Sequence, residues 1–256
     1  MKRIVEPGEG PPDPALLRRL EFRDLGDALN RGWDDFVSFP TFSIMIALIY
    51  PIVGLLLARV LHGYSFLPLL FPIAAGFTLL GPFAAVIFYD FSRRRALGQS
   101  SDEFSPWEMT SSPSRTGIVV LGSLLALLFL VWLAASQTIY NSFYGFAPVS
   151  SMVDFIAQVA TTSRGRTFLI LICGTGFIFC ISVVSFPMLL DRKASATDAM
   201  LTSYRVIAKS PMVLLGWGCT VALLLLAGSV PAFLGLAIAV PVLGHATWHL
   251  YRRAVP

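Results

Sequence analysis

The chain has 256 residues, of which 55% are hydrophobic and only 13% are charged. Soluble globular proteins carry about 25% charged residues, so this chain has too few to cover the surface of a water-facing domain. The composition excludes a disordered chain, a coiled coil and an ordinary cytosolic enzyme. It predicts an integral membrane protein.

The net charge of +4 comes from 19 basic and 15 acidic residues. The basic residues border apolar segments, where they signal topology and attract anionic lipid rather than nucleic acid. We therefore expect the lipid bilayer as the partner, with a membrane-protein partner or a second copy as further possibilities, and no nucleic acid.

Residues 1–23 are polar and rich in Pro and Gly, which predicts a disordered cytoplasmic arm. We expect no signal peptide in this segment, because no apolar core follows Lys2 and Arg3. The remaining residues, 24–256, are predicted to form one transmembrane domain.

The first predicted element is an amphipathic helix over residues 24–37. Leu25, Leu29, Trp33 and Phe36 recur at helical spacing, with charged residues on the other faces. Such a helix lies in the membrane interface, and Trp33 and Phe36 are its candidate anchors. Pro40 is predicted to mark the turn into the first span.

Six segments then follow that are long and apolar enough to span a membrane. Prolines within them should kink the helices without ending them. Sixteen of the nineteen basic residues fall on one side of this arrangement, which places both termini in the cytoplasm. The fold class is therefore an all-α polytopic helix bundle, with spans at about 41–61, 67–89, 118–140, 167–190, 212–230 and 232–251.

A second amphipathic segment, residues 198–209, precedes the fifth span. Its stripe contains Met200, Tyr204 and Ile207, and Tyr204 and Ile207 are its candidate interface anchors. In both amphipathic segments a Pro follows an Asp by thirteen positions, just as the span begins. This pattern predicts a parallel repeat of an interface helix and a hairpin at the two ends of the chain.

Three stretches carry a resemblance to a known family: LLGPFAAVIFYDFSRR, VVSFPMLLDRKASATDAMLTSYRVIAKSP and PVLGHATWHLYR. With these motifs the chain resembles the bacterial membrane family called domain of unknown function 2189, from about Leu25 onward. The resemblance implies a multi-pass inner-membrane protein. That family has no established activity, so it implies no catalytic residues.

His245 and His249 are the sharpest local feature, because residues four apart share one helix face and could bind one metal or haem. Asp90 or Asp191, expected at the same membrane face, could add a third ligand. The alternative is a structural one: the two histidines, with Trp248 and Tyr251, form an interfacial belt. For Asp90 and Asp191 the alternatives are headgroup-level ion pairs and a proton or substrate site.

The sequence contains no nucleotide-binding, metalloprotease or nucleophile-elbow motif, so we expect no catalysis and no cofactor or metal. The favoured function is a non-enzymatic accessory, assembly or envelope-organising component. A small-molecule or lipid permease is the alternative. A redox subunit that uses His245 and His249 is the third hypothesis.

Overall fold

The computed structural model describes residues 11–38, 85–98, 115–144 and 182–256, with isolated residues between these segments. The described residues form seven helices and no strand, so an all-helical architecture is confirmed for this part of the chain. The helices are α1 (Phe22–Ser38), α2 (Val86–Ala96), α3 (Arg115–Tyr144), α4 (Ser182–Asp191), α5 (Ala196–Lys209), α6 (Pro211–Ser229) and α7 (Leu236–Ala254).

One described helix, α6, has the length and apolar composition needed to cross a membrane. Large apolar side chains such as Met212, Leu215, Leu223 and Leu226 are exposed along it. Shorter apolar stretches are Thr116–Trp132 in α3 and Ser182–Asp191, which is α4. Most residues of the first, second and fourth predicted spans lie outside the described residues, so six spans remain a prediction.

Helix α7 occupies the centre of the described part of the chain. It packs along α1 and also contacts α2 and α6. A Cβ atom on Gly32 of α1 would lie 2.6 Å from the Ala246 backbone nitrogen, and one on Gly244 of α7 would lie 2.8 Å from Cβ of Phe88 in α2. Both distances are shorter than van der Waals contact, so glycine sets how closely α7 approaches each neighbour. As predicted, α7 continues through Pro241.

The segment before α1 differs from its predicted disorder. Residues 11–21 pack against the helix ends, with Leu17 and Leu20 buried. The Leu20 amide donates to Ser210 Oγ at 2.8 Å, and Lys209 Nζ donates to the Leu17 carbonyl at 2.8 Å. Two leucines and a set of long-range hydrogen bonds therefore hold this part of the arm, which its average composition does not reveal. Residues 1–10 lie outside the described residues.

The chain breaks between α5 and α6 where the sequence predicts it. Ser195 and Asp198 form a reciprocal capping box at the start of α5, which ends at Lys209. Pro211 then begins α6, because its fixed φ suits a first helical turn and its missing N–H would be unpaired there anyway. Pro40, the corresponding predicted turn, lies outside the described residues.

The two predicted apolar stripes are each divided between buried and exposed positions. Leu25 and Phe36 of α1 are buried, whereas Trp33 is 51% exposed. In α5, Tyr204 is 52% exposed and Ile207 is partly buried. Phe36 therefore belongs to the packed face of α1, and Trp33 and Tyr204 point away from the described core.

Candidate functional site

The C-terminal half of α7 sends polar side chains to three other helices. Its own sequence accounts for this, because a short run of ionisable residues follows the apolar part of the helix and its last turn carries Arg252 and Arg253, which suit a helix C-terminus. The partners lie on α1, α2 and α4. The pairs are His245 with Ser92, His249 with Asp35, Tyr251 and Arg252 with Asp191, and Arg253 with Asp24.

A buried carboxylate of α1, that of Asp35, is the centre of the largest group. Its Oδ2 accepts hydrogen bonds from Ser92 Oγ at 2.5 Å and from His249 Nε2 at 2.8 Å. Its Oδ1 pairs with Arg95 of α2. His245 Nδ1 lies 2.8 Å from Ser92 Oγ and extends the chain of contacts. We call these five residues the Asp35 cluster: Asp35, Ser92, Arg95, His245 and His249.

The hydrogen-bond donors in this cluster follow from simple counting. An ionised carboxylate only accepts hydrogen bonds, and a serine hydroxyl has a single hydrogen to donate. Ser92 therefore donates to Asp35, and His245 must carry its hydrogen on Nδ1 and donate to Ser92. In the neutral imidazole, which carries one hydrogen, Nε2 of His245 is then an unprotonated acceptor. It is buried and has no hydrogen-bond partner among the residues the structure describes.

The surroundings of His245 are apolar on one side. The Phe88 ring meets the imidazole edge-on, with 5.6 Å between the ring centroids. His245 is fully buried, whereas the side chain of His249 is 17% exposed. The two histidines thus share one cluster, as their spacing indicated, but one faces the interior and the other faces the margin.

The environment of Asp35 favours its charged form. Burial opposes ionisation, but the hydrogen bonds from His249 and Ser92 outweigh it and hold the pKa of the Asp35 carboxyl below its ordinary value of 3.8. The carboxylate is therefore ionised at neutral pH, and both of its oxygens can only accept hydrogen bonds.

A second buried carboxylate, Asp24, lies at the start of α1. It accepts from the Glu21 amide and from Arg253 Nε, both at 2.8 Å. Burial raises the pKa of Asp24, but these hydrogen bonds and the charge of Arg253 lower it by more. The net effect is a pKa below the ordinary value. Asp24 thus caps its own helix and joins α1 to the end of α7.

Asp90 and Asp191, the two acids selected from the sequence, lie outside the Asp35 cluster. Asp90 pairs with Arg93 and Arg94 of its own helix. Asp191 accepts from Tyr251 Oη at 2.8 Å and from Arg252 at 2.7 Å. The expectation that one of them joins both histidines as a third ligand is not met, because each carboxylate is engaged elsewhere.

Within the described part of the chain, no three His, Cys, Asp or Glu side chains are placed to hold one metal ion. Asp35, Ser92 and Arg95 are site residues that the sequence patterns did not predict. One signal for Asp35 exists: on α1 a row of small and acidic residues recurs at helical spacing, and all of them are buried. These are Asp24, Ala28, Gly32 and Asp35.

The central part of the chain matches a known protein family. Residues 70–191 match the family model described as "Predicted integral membrane protein (DUF2189)". These residues belong to the DUF2189 family. The resemblance seen in the sequence is thereby confirmed, although the match is narrower than the range from Leu25 onward and does not include GHATWHLYR. No curated protein and no solved structure gives a match to the chain.

The DUF2189 region contributes only part of the Asp35 cluster. Ser92 and Arg95 lie inside the matched residues, while Asp35, His245 and His249 lie before or after them. The cluster therefore connects the DUF2189 region to the two ends of the chain. The family description, together with the apolar composition, identifies an integral membrane protein.

Proposed function

We propose that this chain is a non-enzymatic, multi-pass protein of the bacterial inner membrane that serves as an accessory, assembly or envelope-organising component. The observation that carries this proposal is the clamp formed around α7. Three acids form this clamp: Asp24 and Asp35 of α1, and Asp191 of α4. Each accepts a hydrogen bond from a side chain of α7.

Such pairing suits a structural role. The carboxylates of Asp35 and Asp191 accept two or more hydrogen bonds, and their donors come from α2 and α7. An acid that has to exchange protons or bind substrate needs an accessible oxygen, whereas both oxygens of Asp35 and Oδ2 of Asp191 are used to join helices. The clamp therefore supports a rigid end of the bundle on which a partner could assemble.

The proposed topology has six spans with both termini in the cytoplasm, and it follows from the positions of the basic residues. Reporter fusions after Arg95, Arg164, Lys193 and Arg253 test it. Periplasmic phosphatase activity should appear only for the Arg164 fusion. Activity after Arg95 or Arg253 would contradict the topology.

The accessory role is tested by isolating the tagged full-length protein from native membranes and identifying what accompanies it. We expect a membrane-protein partner in constant ratio that is lost in Asp35→Asn. Asp34→Asn is the matched control, because Asp34 is the adjacent acid on the exposed face of α1. A partner set that is the same for both variants, or no partner above background, would contradict the role.

A permease is the second candidate, and the buried His245 Nε2 favours it. Ionisable residues inside membrane proteins often mark a proton or substrate route. Proteoliposomes that carry the purified protein and a pH-sensitive dye test for a proton-coupled permease, which should dissipate an imposed pH gradient faster than empty vesicles do. The redox hypothesis predicts a visible absorption band in the purified protein.

We also propose that the two amphipathic helices are related by a parallel repeat. Both are N-capped through an acid at the third helical position, Asp24 in α1 and Asp198 in α5. Aligned at their C-terminal ends, α1 is three residues longer at its start, so the caps are offset by about one turn. An experimental structure in which the first and third hairpins superpose in the same direction would support the repeat.

A further inference from the structure

The surface of α1 is divided into three sectors. The first sector is buried against α7 and α6 and contains Leu25, Gly32 and Asp35. The second is polar and exposed, and it carries charges of both signs: Arg23, Asp27, Arg31 and Asp34.

The third sector of α1 is apolar and exposed. Phe22 is 62%, Trp33 51% and Val37 54% exposed, and Gly26 lies between them on the same face.

A position-by-position projection shows that these sectors do not mix. At 100° per residue, Phe22, Gly26, Trp33 and Val37 fall within about 60° of one another, next to the buried sector. Arg23, Asp27, Arg31 and Asp34 occupy the following arc. A helix exposed to water on its whole free surface has no reason to gather its three largest exposed apolar side chains in one strip.

The apolar sector also continues onto the membrane-length helix. Phe22 lies over Gly216 of α6, where a Cβ would be 3.0 Å from its ring. Met212 and Leu215, which precede Gly216, are 68% and 60% exposed. The exposed apolar strip of α1 therefore begins beside the exposed apolar surface of α6.

We infer that the strip formed by Phe22, Gly26, Trp33 and Val37 lies in the bilayer, at the boundary between headgroups and acyl chains, while the charged sector of α1 faces the cytoplasm. This inference rests on the proposed membrane placement of the bundle and goes beyond it by assigning each face of α1. Interfacial helices bury their apolar face about 5–10 Å into this boundary, and Trp is enriched there. The charged sector is the side that water solvates.

The occupant is lipid rather than a second copy because of the shape and neighbours of the strip. It is one helix wide, it adjoins charged residues along one edge, and it joins a surface of α6 that is itself apolar. The assignment also replaces Phe36 by Phe22 and Val37 as anchors, since Phe36 is buried.

Spin labels on single cysteines test the assignment in the full-length protein in nanodiscs. The background replaces the three native cysteines, Cys173, Cys180 and Cys219, with serine. Labels at Trp33 and Val37 report on the strip, a label at Asp34 reports on the charged sector, and a label at Leu223 reports on α6. Collision with oxygen detects lipid, and collision with a water-soluble nickel chelate detects solvent.

We expect the ratio of oxygen to nickel collisions at positions 33 and 37 to exceed the ratio at 34 several-fold. Nickel access at 33 and 37 equal to that at 34 would overturn the inference, and so would shielding from both reagents, which indicates a protein partner or second copy. The label at Leu223 separates the two levels. If it collides with nickel, the membrane placement of the bundle fails. If it collides with oxygen while 33 and 37 do not, only the assignment of α1 fails.

Discussion

The contact at Gly32 gives the sharpest prediction about how α1 is held. In Gly32→Ala the new Cβ would lie 2.6 Å from the Ala246 nitrogen, 2.7 Å from the Val242 carbonyl oxygen and 2.8 Å from the Ala246 Cβ. Two of these atoms belong to the backbone, so they cannot rotate away and α1 must move off α7. Overpacking of this kind costs about 1–3 kcal/mol.

Gly26→Ala is the matched control for this substitution. Gly26 is on the same helix, and a Cβ there would meet nothing within 4 Å. Alanine in a helix interior is favoured over glycine by about 0.5–1 kcal/mol, so Gly26→Ala should stabilise α1 while Gly32→Ala destabilises it. The difference between the variants isolates the steric cost.

Hydrogen exchange of the α1 amides in nanodiscs measures both effects. When the gain in helix propensity is subtracted from the steric cost, Gly32→Ala should lower the opening free energy of α1 by up to about 2.5 kcal/mol, which corresponds to exchange that is faster by up to roughly 70-fold. Gly26→Ala should slow exchange. If Gly32→Ala exchanges as slowly as Gly26→Ala, the close approach of α1 and α7 is wrong.

Three further predictions concern the polar groups. Asp35→Asn should lower the opening free energy of α1 by about 1.5–3 kcal/mol, because hydrogen bonds to a charged group are lost. The control Asp34→Asn should change it by less than about 0.5 kcal/mol. Equal effects of the two substitutions would contradict the buried network. Because the folded pKa values of Asp24 and Asp35 are below the ordinary value, their stabilisation is present above about pH 4 and is lost as the pH falls through the folded values. Faster α1 exchange at pH 3 than at pH 6, after correction for the intrinsic rate, checks this sign, and unchanged protection would contradict it. Nitrogen NMR of labelled histidine should show the His245 hydrogen on Nδ1 at neutral pH, and a hydrogen on Nε2 would contradict the order of donors.

Features that depend on neighbouring residues could be predicted from the sequence. The length of apolar runs located α3 and α6, and the position of Pro211 located the start of α6, because proline restricts the residue before it. The spacing of His245 and His249 correctly placed them on one side of a helix. Each of these inferences uses interactions within a turn or two of one helix.

The partners of the histidines could not be predicted in the same way. Asp35 is 57 positions from Ser92 and 214 positions from His249. A local pattern cannot show which acid meets which histidine, and so the sequence favoured Asp90 and Asp191, which follow apolar runs. The packed arm over residues 11–21 was missed for a similar reason: its order depends on Lys209 and Ser210, far along the chain.

The clamp raises the question of why acids and bases join α1 to α7, where apolar side chains could pack. Near a bilayer, apolar side chains gain little free energy by packing against a helix in place of lipid. They therefore fix the position of one helix on another only weakly. A slip of α1 by one helical turn moves it about 5.4 Å, and apolar contacts could re-form after such a slip. The 2.8 Å hydrogen bonds of Asp35 with His249 and of Asp24 with Arg253 could not re-form after such a slip. Because these two pairs lie at opposite ends of α1, a slip would break both at once.

We infer that the two ionic pairs fix the register of α1 on α7, a role that buried ionic groups fill in some helical assemblies. Substitution of either acid should then allow α1 to shift along α7 while the apolar contacts persist, which crosslinking of cysteine pairs one turn apart would detect.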